Sequence, residues 1–250
     1  MNILITNDDG YAASGIKILS ERLSKEHNVF VVAPSGNRSA SSHFISMSKN
    51  LEIKTISENV WSCSGFPADC VLTAIKSSLL PVRPDCILSG INAGPNMGTD
   101  IVYSGTCAAA RQSVLDGIPA IALSLYDPEE KYEYYGNLAD FAAKNIASLA
   151  ALSSIGRINS FVNVNALSVP SYKGVKLASS LCVRDYGDII KLSAKDGGYD
   201  SFFHGGIPCT VKEKDSDFHI CTDGYVSVAC VAASPVISEQ EFLERIEFTL

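Results

Sequence analysis

Three successive apolar runs of this sequence each end in a polar loop that carries oxygen-bearing side chains. The first run delivers Asp8 and Asp9, the second Ser39, and the third Asn92. If the runs are parallel strands of one sheet, their carboxyl ends meet at one edge, where open sheets bind ligands. Two carboxylates, a hydroxyl and a carboxamide are hard oxygen ligands, which favours Mg²⁺, Mn²⁺ or Ca²⁺ over zinc or copper. The sequence therefore predicts a divalent-cation site at this edge.

Each of these residues also has a simpler interpretation. The tetrapeptide Asn7-Asp8-Asp9-Gly10 is a good turn sequence, and most such tetrapeptides are only turns. Ser39 alone carries almost no information, and Asn92 and Asn96 suit a loop that tolerates unusual backbone angles. The site becomes the better interpretation when the residues are taken together, because the strand-end rule gathers them without further assumptions.

A second candidate element is the tripeptide Ser104-Gly105-Thr106, which begins a predicted helix. A helix N-terminus offers unpaired N–H groups and the positive end of a dipole, and Gly105 lets the backbone approach a phosphate closely. A plain serine N-cap is an equally good interpretation of these three residues. The neighbouring glycine-rich loop, residues 90–98, favours the anion site. Asn96 joins this tripeptide as a candidate for binding the non-bridging phosphate oxygens.

Several familiar signatures are missing from the chain. It has no G-x-x-x-x-G-K-[ST], no G-x-G-x-x-G after the first strand and no G-x-S-x-G. This argues against a P-loop NTPase, a Rossmann dinucleotide site and the usual α/β-hydrolase arrangement. The four histidines, at positions 27, 43, 204 and 219, match no metal spacing. His43, which follows the Ser39 loop, is best interpreted as a solvated loop residue.

The order of the predicted elements indicates the fold class. Apolar runs of strand length alternate with segments of helical periodicity, which is typical of an α/β fold with a doubly wound, mainly parallel sheet. The predicted strands are 2–6, 29–33, 51–56, 60–63, 85–89, 118–125 and 161–166. The predicted helices begin at Ser14, run from Pro67 to about Leu80, from Ser104 to Gly117, and from about Tyr134 to Leu152. A loop is expected over residues 90–100.

Beyond residue 171 the pattern changes. Helical periodicity weakens and strand-like runs appear at 175–183 and 225–233, so about 172–235 is predicted to be a β-rich excursion from the sheet. A last helix is predicted from Ser238, because Ser238 and Glu241 form a capping-box pattern. The chain contains no internal repeat or low-complexity segment, and residues 1–250 are predicted to form a single catalytic α/β domain.

The composition of the chain indicates which classes of partner it can bind and in which cellular compartment it is expected. The formal net charge is −7, which gives the chain no electrostatic reason to bind duplex nucleic acid. The eight cysteines form no C-x-x-C pair and are predicted to be buried, reduced thiols. The start of the chain lacks the pattern of a signal peptide, and no apolar stretch reaches membrane-spanning length. A cytoplasmic protein without a membrane partner is predicted.

Short motifs follow one another in a fixed order along the chain: Ile5-Thr-Asn-Asp-Asp-Gly10, Ala33-Pro34 with Asn37-Arg-Ser39, Gly65 with Pro67-Ala-Asp-Cys70, Ser89-Gly-Ile-Asn-Ala-Gly-Pro-Asn-Met-Gly98, Tyr103-Ser-Gly-Thr106 and Gly224-Tyr-Val-Ser227. In this order they strongly resemble the SurE family of stationary-phase survival proteins. The resemblance extends from residue 3 to about 228, which is nearly the whole chain.

The resemblance implies a SurE-like, Rossmann-like three-layer fold and a metal-dependent nucleotidase. Such an enzyme releases phosphate from nucleoside 5'- and 3'-monophosphates and uses one divalent cation per subunit, Mg²⁺ or Mn²⁺. The resemblance further implies that the metal ligands are Asp8, Asp9, Ser39 and Asn92. It also implies that about 172–235 is an arm exchanged between subunits of a homodimer or homotetramer.

The chemistry at the acids has more than one interpretation at this point. Asp8 or Asp9 can act as general base or acid towards the attacking water or the leaving oxygen. Alternatively, Asp8 is the covalent nucleophile of an aspartyl-phosphate phosphatase, although the usual D-x-D spacing is missing. A further alternative is a non-catalytic protein that binds a metal or a nucleotide, which a phosphate-release assay with Mn²⁺ distinguishes.

Overall fold

A computed structural model describes residues 1–156, 158–205, 209–211 and 213–235. The strands are β1 (Asn2–Thr6), β2 (Asn28–Pro34), β3 (Ile53–Ser57), β4 (Val60–Cys63), β5 (Cys86–Ala93), β6 (Ala120–Tyr126), β7 (Ser160–Leu167), β8 (Val175–Leu177), β9 (Arg184–Asp185), β10 (Ile189–Lys195), β11 (Gly198–His204), β12 (Cys209–Thr210) and β13 (Val226–Ala232). The helices are α1 (Ser14–Leu23), α2 (Pro67–Lys76), α3 (Asp100–Tyr103), α4 (Gly105–Leu115), α5 (Tyr135–Leu152) and α6 (Asp217–Thr222).

Within the described residues, nine strands form one sheet in the order β3-β4-β2-β1-β5-β6-β7-β13-β8. The six central strands β4-β2-β1-β5-β6-β7 run parallel to one another, and β1 lies between β2 and β5. Ile5 pairs with Val31 on one side and with Leu88 on the other, so these three strands end at the same edge. The predicted α/β fold with a mainly parallel sheet is confirmed.

Two apolar layers hold helices on both faces of the sheet. On one face, α1 and α5 pack on β1 and β5 through residues such as Leu19 and Leu138. On the other face, α2 and α4 pack on the sheet through Val71 and Val114. Strands covered on both faces are apolar throughout, which explains why the runs of strand length stand out in the sequence. Among the described residues, no helix is long and apolar enough to cross a membrane.

Some element boundaries differ from the prediction. The third central strand does not end at Ser89 but continues as β5 to Ala93, because after a shift in register Asn92 pairs with Ser124 of β6. Gly90 permits this, since a Cβ there would lie 2.4 Å from the carbonyl oxygen of Leu123. The predicted loop over residues 90–100 therefore starts later, and the helix α3 follows it. The helix α2 ends at Lys76, before the predicted Leu80.

The segment 172–235 departs from the prediction in its pairing. The strand β13 adds to the main sheet antiparallel to β7, and β8 pairs parallel to β13. Of the strands in the described part of the chain, β9–β12 lie outside this sheet and form two separate two-stranded pieces. The return of β13 covers an otherwise open edge of β7 and buries Val228 and Val231. The short helix α6 was not predicted, and the helix predicted from Ser238 lies outside the described residues.

The cysteines are largely as predicted. Six described cysteines are free and buried, and they pack as small apolar side chains. Cys230, expected to be buried, is exposed instead. It lies at the end of the helical layer, where its Sγ approaches the carbonyl oxygen of Leu152.

Candidate active site

The end of β1 is a tight turn that presents two adjacent acids. The side chain of Asn7 closes the turn by donating to the Gly10 carbonyl and accepting from the Gly10 N–H, both at 3.0 Å. Gly10 has a φ of +103°, a region that favours glycine. The turn interpretation and the site interpretation of this tetrapeptide are therefore compatible: the turn holds Asp8 and Asp9 beyond the strand.

Asp8 is held by the N-terminus of α4. The Thr106 hydroxyl donates to Asp8 Oδ1 at 2.6 Å, and the Thr106 N–H donates to Oδ2 at 3.2 Å. Gly105 allows this approach, because a Cβ there would lie 2.8 Å from Asp8 Cβ. Asp8 is only 4% exposed, and burial raises the pKa of its carboxyl although the bonds from Thr106 oppose the shift.

Asp9 lies beside the end of β5. Its Oδ2 accepts from the backbone N–H of Ala93 at 3.2 Å. Burial and, to a lesser degree, the charge of Asp8 raise the pKa of Asp9 to about 6. Burial raises the pKa of both neighbouring carboxyls, and their oxygens are the ligands that hard divalent cations prefer. The residues present thus fit a divalent cation.

The loops that carry Ser39 and Asn92 are anchored directly to these acids. The Arg38 N–H donates to the Asp8 carbonyl oxygen at 2.7 Å, which places Ser39 next in the chain. On the other side, the bond from Ala93 to Asp9 places Asn92 beside the same turn. Ser39 is exposed, and the Asn92 amide donates to the Gly94 carbonyl at 2.9 Å. The structure brings both loops to the edge where the sequence predicted them.

The predicted phosphate contacts of Ser104, Gly105 and Thr106 have other partners in this structure. Ser104 caps α4 by accepting from the Cys107 N–H at 3.0 Å, so the N-cap interpretation is confirmed. Thr106 bonds to Asp8 with both its hydroxyl and its N–H, and Gly105 packs against Asp8. The role of these residues towards phosphate stays a prediction.

Sequence reasoning missed the residues that position Asn96. The Asn96 amide donates to the Ser124 hydroxyl at 2.8 Å, and its N–H donates to Asn165 Oδ1 at 2.9 Å. Asn163 donates in turn to the Asn96 carbonyl oxygen at 2.8 Å. A signal was present in the sequence, since two asparagines two positions apart inside the apolar run 161–166 must face one side of a buried strand and need partners.

Comparisons with known proteins assign the chain to a family. A model of the survival protein SurE matches residues 3–187. This chain belongs to the SurE family. The 5'-nucleotidase SurE of Thermosipho melanesiensis is 37% identical over 257 residues, which cover 99% of this chain and 96% of the relative. The 5'-nucleotidase SurE of Treponema pallidum is 45% identical over 181 residues, covering 69% of this chain and 93% of the relative.

The fold agrees with that of a solved SurE protein. The crystal structure of the SurE protein from Aquifex aeolicus superposes with a TM-score of 0.81 at 28% sequence identity. The match covers 98% of this chain and all of the other. The SurE resemblance noted in the motifs is thus confirmed over the whole fold.

In this SurE-family chain a cavity of about 480 Å³ adjoins Asp9. Its wall includes Ala93 at the end of β5 and the aromatic residues Tyr132 and Tyr135. The two tyrosine rings are stacked with their centroids 6.0 Å apart. A volume of this size suits a small organic ligand, and apolar aromatic walls with a few polar groups are typical of such sites.

Proposed function

We propose that this SurE-family nucleotidase hydrolyses nucleoside 5'- and 3'-monophosphates at the edge formed by Asp8 and Asp9, with one Mg²⁺ or Mn²⁺ per subunit. The observation that carries the proposal is the pair of neighbouring carboxylates, of which Asp8 accepts hydrogen bonds from Thr106 and Asp9 from the Ala93 N–H, while the Ser39 loop binds the Asp8 main-chain carbonyl through Arg38. The 5'-nucleotidase name of the relatives supports the reaction class. A cytoplasmic location and the absence of nucleic-acid partners stay predictions from the sequence.

Each residue of the edge has a proposed role. Asp8, Asp9, Ser39 and Asn92 would hold the cation, and Asp8 is oriented for this by Thr106. A bound divalent cation would offset the carboxylate charges and draw electron density from the phosphoryl group. Asp8 or Asp9 would also act as general base or acid towards the attacking water or the leaving oxygen.

The phosphate and the nucleoside would occupy neighbouring places. We assign the non-bridging oxygens to Asn96 and to the tripeptide Ser104-Gly105-Thr106, as the order of the loops in the sequence predicts. The nucleoside fits the cavity beside Asp9, where Tyr132 and Tyr135 offer aromatic surface to a base. Aromatic faces accept every base, so this arrangement favours a broad range of nucleosides.

We also propose that the chain forms a homodimer or homotetramer through the hairpin β10–β11. The pairing of the two strands places Ile190, Leu192, Tyr199 and Phe203 on one face, and all four are exposed. An isolated two-stranded hairpin is marginal in water, and a contiguous apolar face indicates a partner surface. A second copy of this chain supplies that surface in our proposal.

A phosphate-release assay tests the proposed reaction. Purified protein is given 5'-AMP, 3'-AMP and 5'-GMP with Mg²⁺, Mn²⁺ or Co²⁺, and with excess EDTA. We expect release that EDTA abolishes and added cation restores, because the paired carboxylates repel a phosphate without it. Full activity in EDTA would refute the metal-dependent reaction, and no release with any cation would favour a binding protein. Trapping of a labelled phosphoenzyme would instead favour Asp8 as nucleophile.

A further inference from the structure

The chain segment 96–106, which contains all the predicted phosphate contacts, is held at its middle by residues far away in sequence. Gly98, Thr99 and Asp100 each receive contacts from the stretch 182–186 or from α6. The stretch 182–186 leads into the hairpin β10–β11 and is the base of the proposed oligomerisation arm. The middle of the segment therefore lies between the active-site edge and the arm.

The strongest of these contacts is a buried ion pair. Arg184 Nη1 lies 2.9 Å from Asp100 Oδ2, and the two side chains are only 7% and 8% exposed. The other oxygen of Asp100 accepts from the Tyr186 hydroxyl at 2.7 Å. A buried ion pair gains little net stability because both charges lose their hydration, but its geometry is narrowly defined. The pair therefore defines the position of Asp100 relative to Arg184, and it contributes little to the free energy of folding.

Backbone N–H groups add further contacts between the segment, the arm base and α6. The Arg184 N–H donates to the Thr99 hydroxyl at 3.0 Å, and the Gly98 N–H donates to Asp217 Oδ2 at 2.7 Å. The carbonyl oxygen of Cys182 lies 1.9 Å from where a Cβ of Gly98 would be, so only glycine permits this approach. Gly98 also has a φ of +54°.

Asp100 contacts the segment both before and after its own position. Its carbonyl oxygen accepts from the Ser104 N–H at 3.0 Å, and Ser104 caps the helix whose Thr106 holds Asp8. Its carboxylate also accepts from the Met97 N–H at 3.4 Å, next to Asn96. We infer that Arg184 is a positioning residue for phosphate-ester hydrolysis, which sets the segment 96–106 against Asp8 through Asp100 and so makes catalysis depend on the docked arm base.

This inference rests on the proposed nucleotidase function, and its test compares variants of one ion pair with variants of another. Arg184→Met removes the contact, Arg184→Lys retains a charge, and Arg184→Met with Asp100→Asn removes both charges of the pair, so that neither stays buried without the other. Arg22→Met is the matched control, because Arg22 pairs with Asp140 at 3.1 Å in a partly exposed position on the α1–α5 layer. All are assayed as full chains with 5'-AMP and saturating Mn²⁺.

We expect kcat to fall about 10- to 100-fold in Arg184→Met and in the double variant, with a small change in KM, since a misplaced group far from the chemistry can cost this much. Arg184→Lys should recover part of the loss, and Arg22→Met should match wild type. Hydrogen exchange of residues 96–106 should be faster in the double variant and unchanged in Arg22→Met.

A double variant with wild-type kcat and wild-type exchange would overturn the inference, as would a loss confined to KM. If the wild-type chain itself released no phosphate, the proposed function would fail, and the exchange of residues 96–106 would still decide whether Arg184 positions them. Should Arg184→Met fail to fold, the double variant carries the same comparison, because it leaves neither charge of the pair buried without the other.

Discussion

The acidic edge at the end of β1, which carries Asp8 and Asp9, buries charged side chains, whereas the hairpin β10–β11 exposes apolar ones. At the edge, charged groups are buried. Asp8 is almost inaccessible to solvent. The burial of Asp9 and, to a lesser degree, the charge of Asp8 raise the pKa of Asp9 to about 6. In the hairpin, apolar groups are exposed, with Leu192 and Phe203 each more than three-fifths accessible. Each region is unfavourable by itself, and in our proposal a cation stabilises the first and a second copy of the chain covers the second.

The difference between the two regions indicates which property a substitution in each should change. The edge is embedded in the sheet, so its unfavourable charges are tolerated because the surrounding core is large. The hairpin lies outside the sheet as a separate pair of strands, so we expect its stability to depend on the proposed association. Variants should therefore separate the two regions: changes at the edge alter chemistry without unfolding, and changes in the hairpin alter assembly.

The largest expected effect is at the edge. Asp9→Asn removes one negative charge from the proposed cation site and the candidate base, so kcat/KM with 5'-AMP should fall more than about 100-fold, since even outer partners of metal ligands cost 10- to 100-fold. Circular dichroism should be unchanged. Calorimetric titration with Mn²⁺ should show weaker binding, and wild-type Mn²⁺ affinity would remove Asp9 from the ligand set.

The second-largest expected effect concerns self-association through the hairpin β10–β11. Leu192→Glu places a charge on the apolar face, and we expect self-association to weaken about 100-fold, because a buried leucine contributes roughly 1.5–3 kcal/mol and the carboxylate adds a desolvation cost. Ser193→Glu is the control, since Ser193 is equally exposed on the opposite face. Analytical ultracentrifugation measures both, and identical dissociation constants would place the interface elsewhere.

A smaller effect distinguishes two roles for Thr106. Thr106→Ala removes the hydroxyl that bonds to Asp8, and losing a hydrogen bond to a charged group costs roughly 1.5–3 kcal/mol, about one to two powers of ten in kcat/KM. If its role is the contact seen here, Mn²⁺ affinity should also fall, and Thr106→Ser should restore it. Unchanged Mn²⁺ affinity with a raised KM would show that Thr106 instead contacts phosphate, as the sequence predicts.

The smallest effect concerns stability without metal. The folded-state pKa of Asp9 lies above its ordinary value of 3.8, so the folded chain binds this proton more tightly than the unfolded chain does. Wild-type stability in EDTA should therefore fall as the pH rises from about 4 to about 6 and then level off. Asp9→Asn lacks this loss and should be more stable at pH 7 by about 1–3 kcal/mol.

Urea unfolding at pH 4 and pH 7 measures the difference between the two chains. Asp140→Asn is the control, because its carboxylate lies in a partly exposed ion pair. Equal pH slopes for wild type and Asp9→Asn would show that Asp9 is an ordinary exposed acid.

The sequence predicted those features of the fold and the site that depend on residues close together in the chain. Asn2–Thr6 is apolar enough to be a buried strand, and Asn7 and Gly10 can form only a few turns, so the position of Asp8 and Asp9 follows. It could not predict that β13 returns beside β7, because the choice of a neighbouring strand depends on which edge is left open. The bond between Thr106 and Asp8 was missed for the same reason, since 98 residues separate them.

The antiparallel return of β13 has a consequence for biosynthesis. A ribosome releases the turn of Asp8 and Asp9 before β7, yet β7 stays an open edge until residues 226–232 emerge, and Asp100 and Gly98 can contact Arg184 and Asp217 only once those two residues have emerged. Chains fold from the N-terminus as they are made, at about 5–20 residues per second. For about 10 to 40 seconds at that rate the nascent protein therefore carries its acids without the framework that aligns them, and we expect hydrolysis to begin only after residue 217 has been translated.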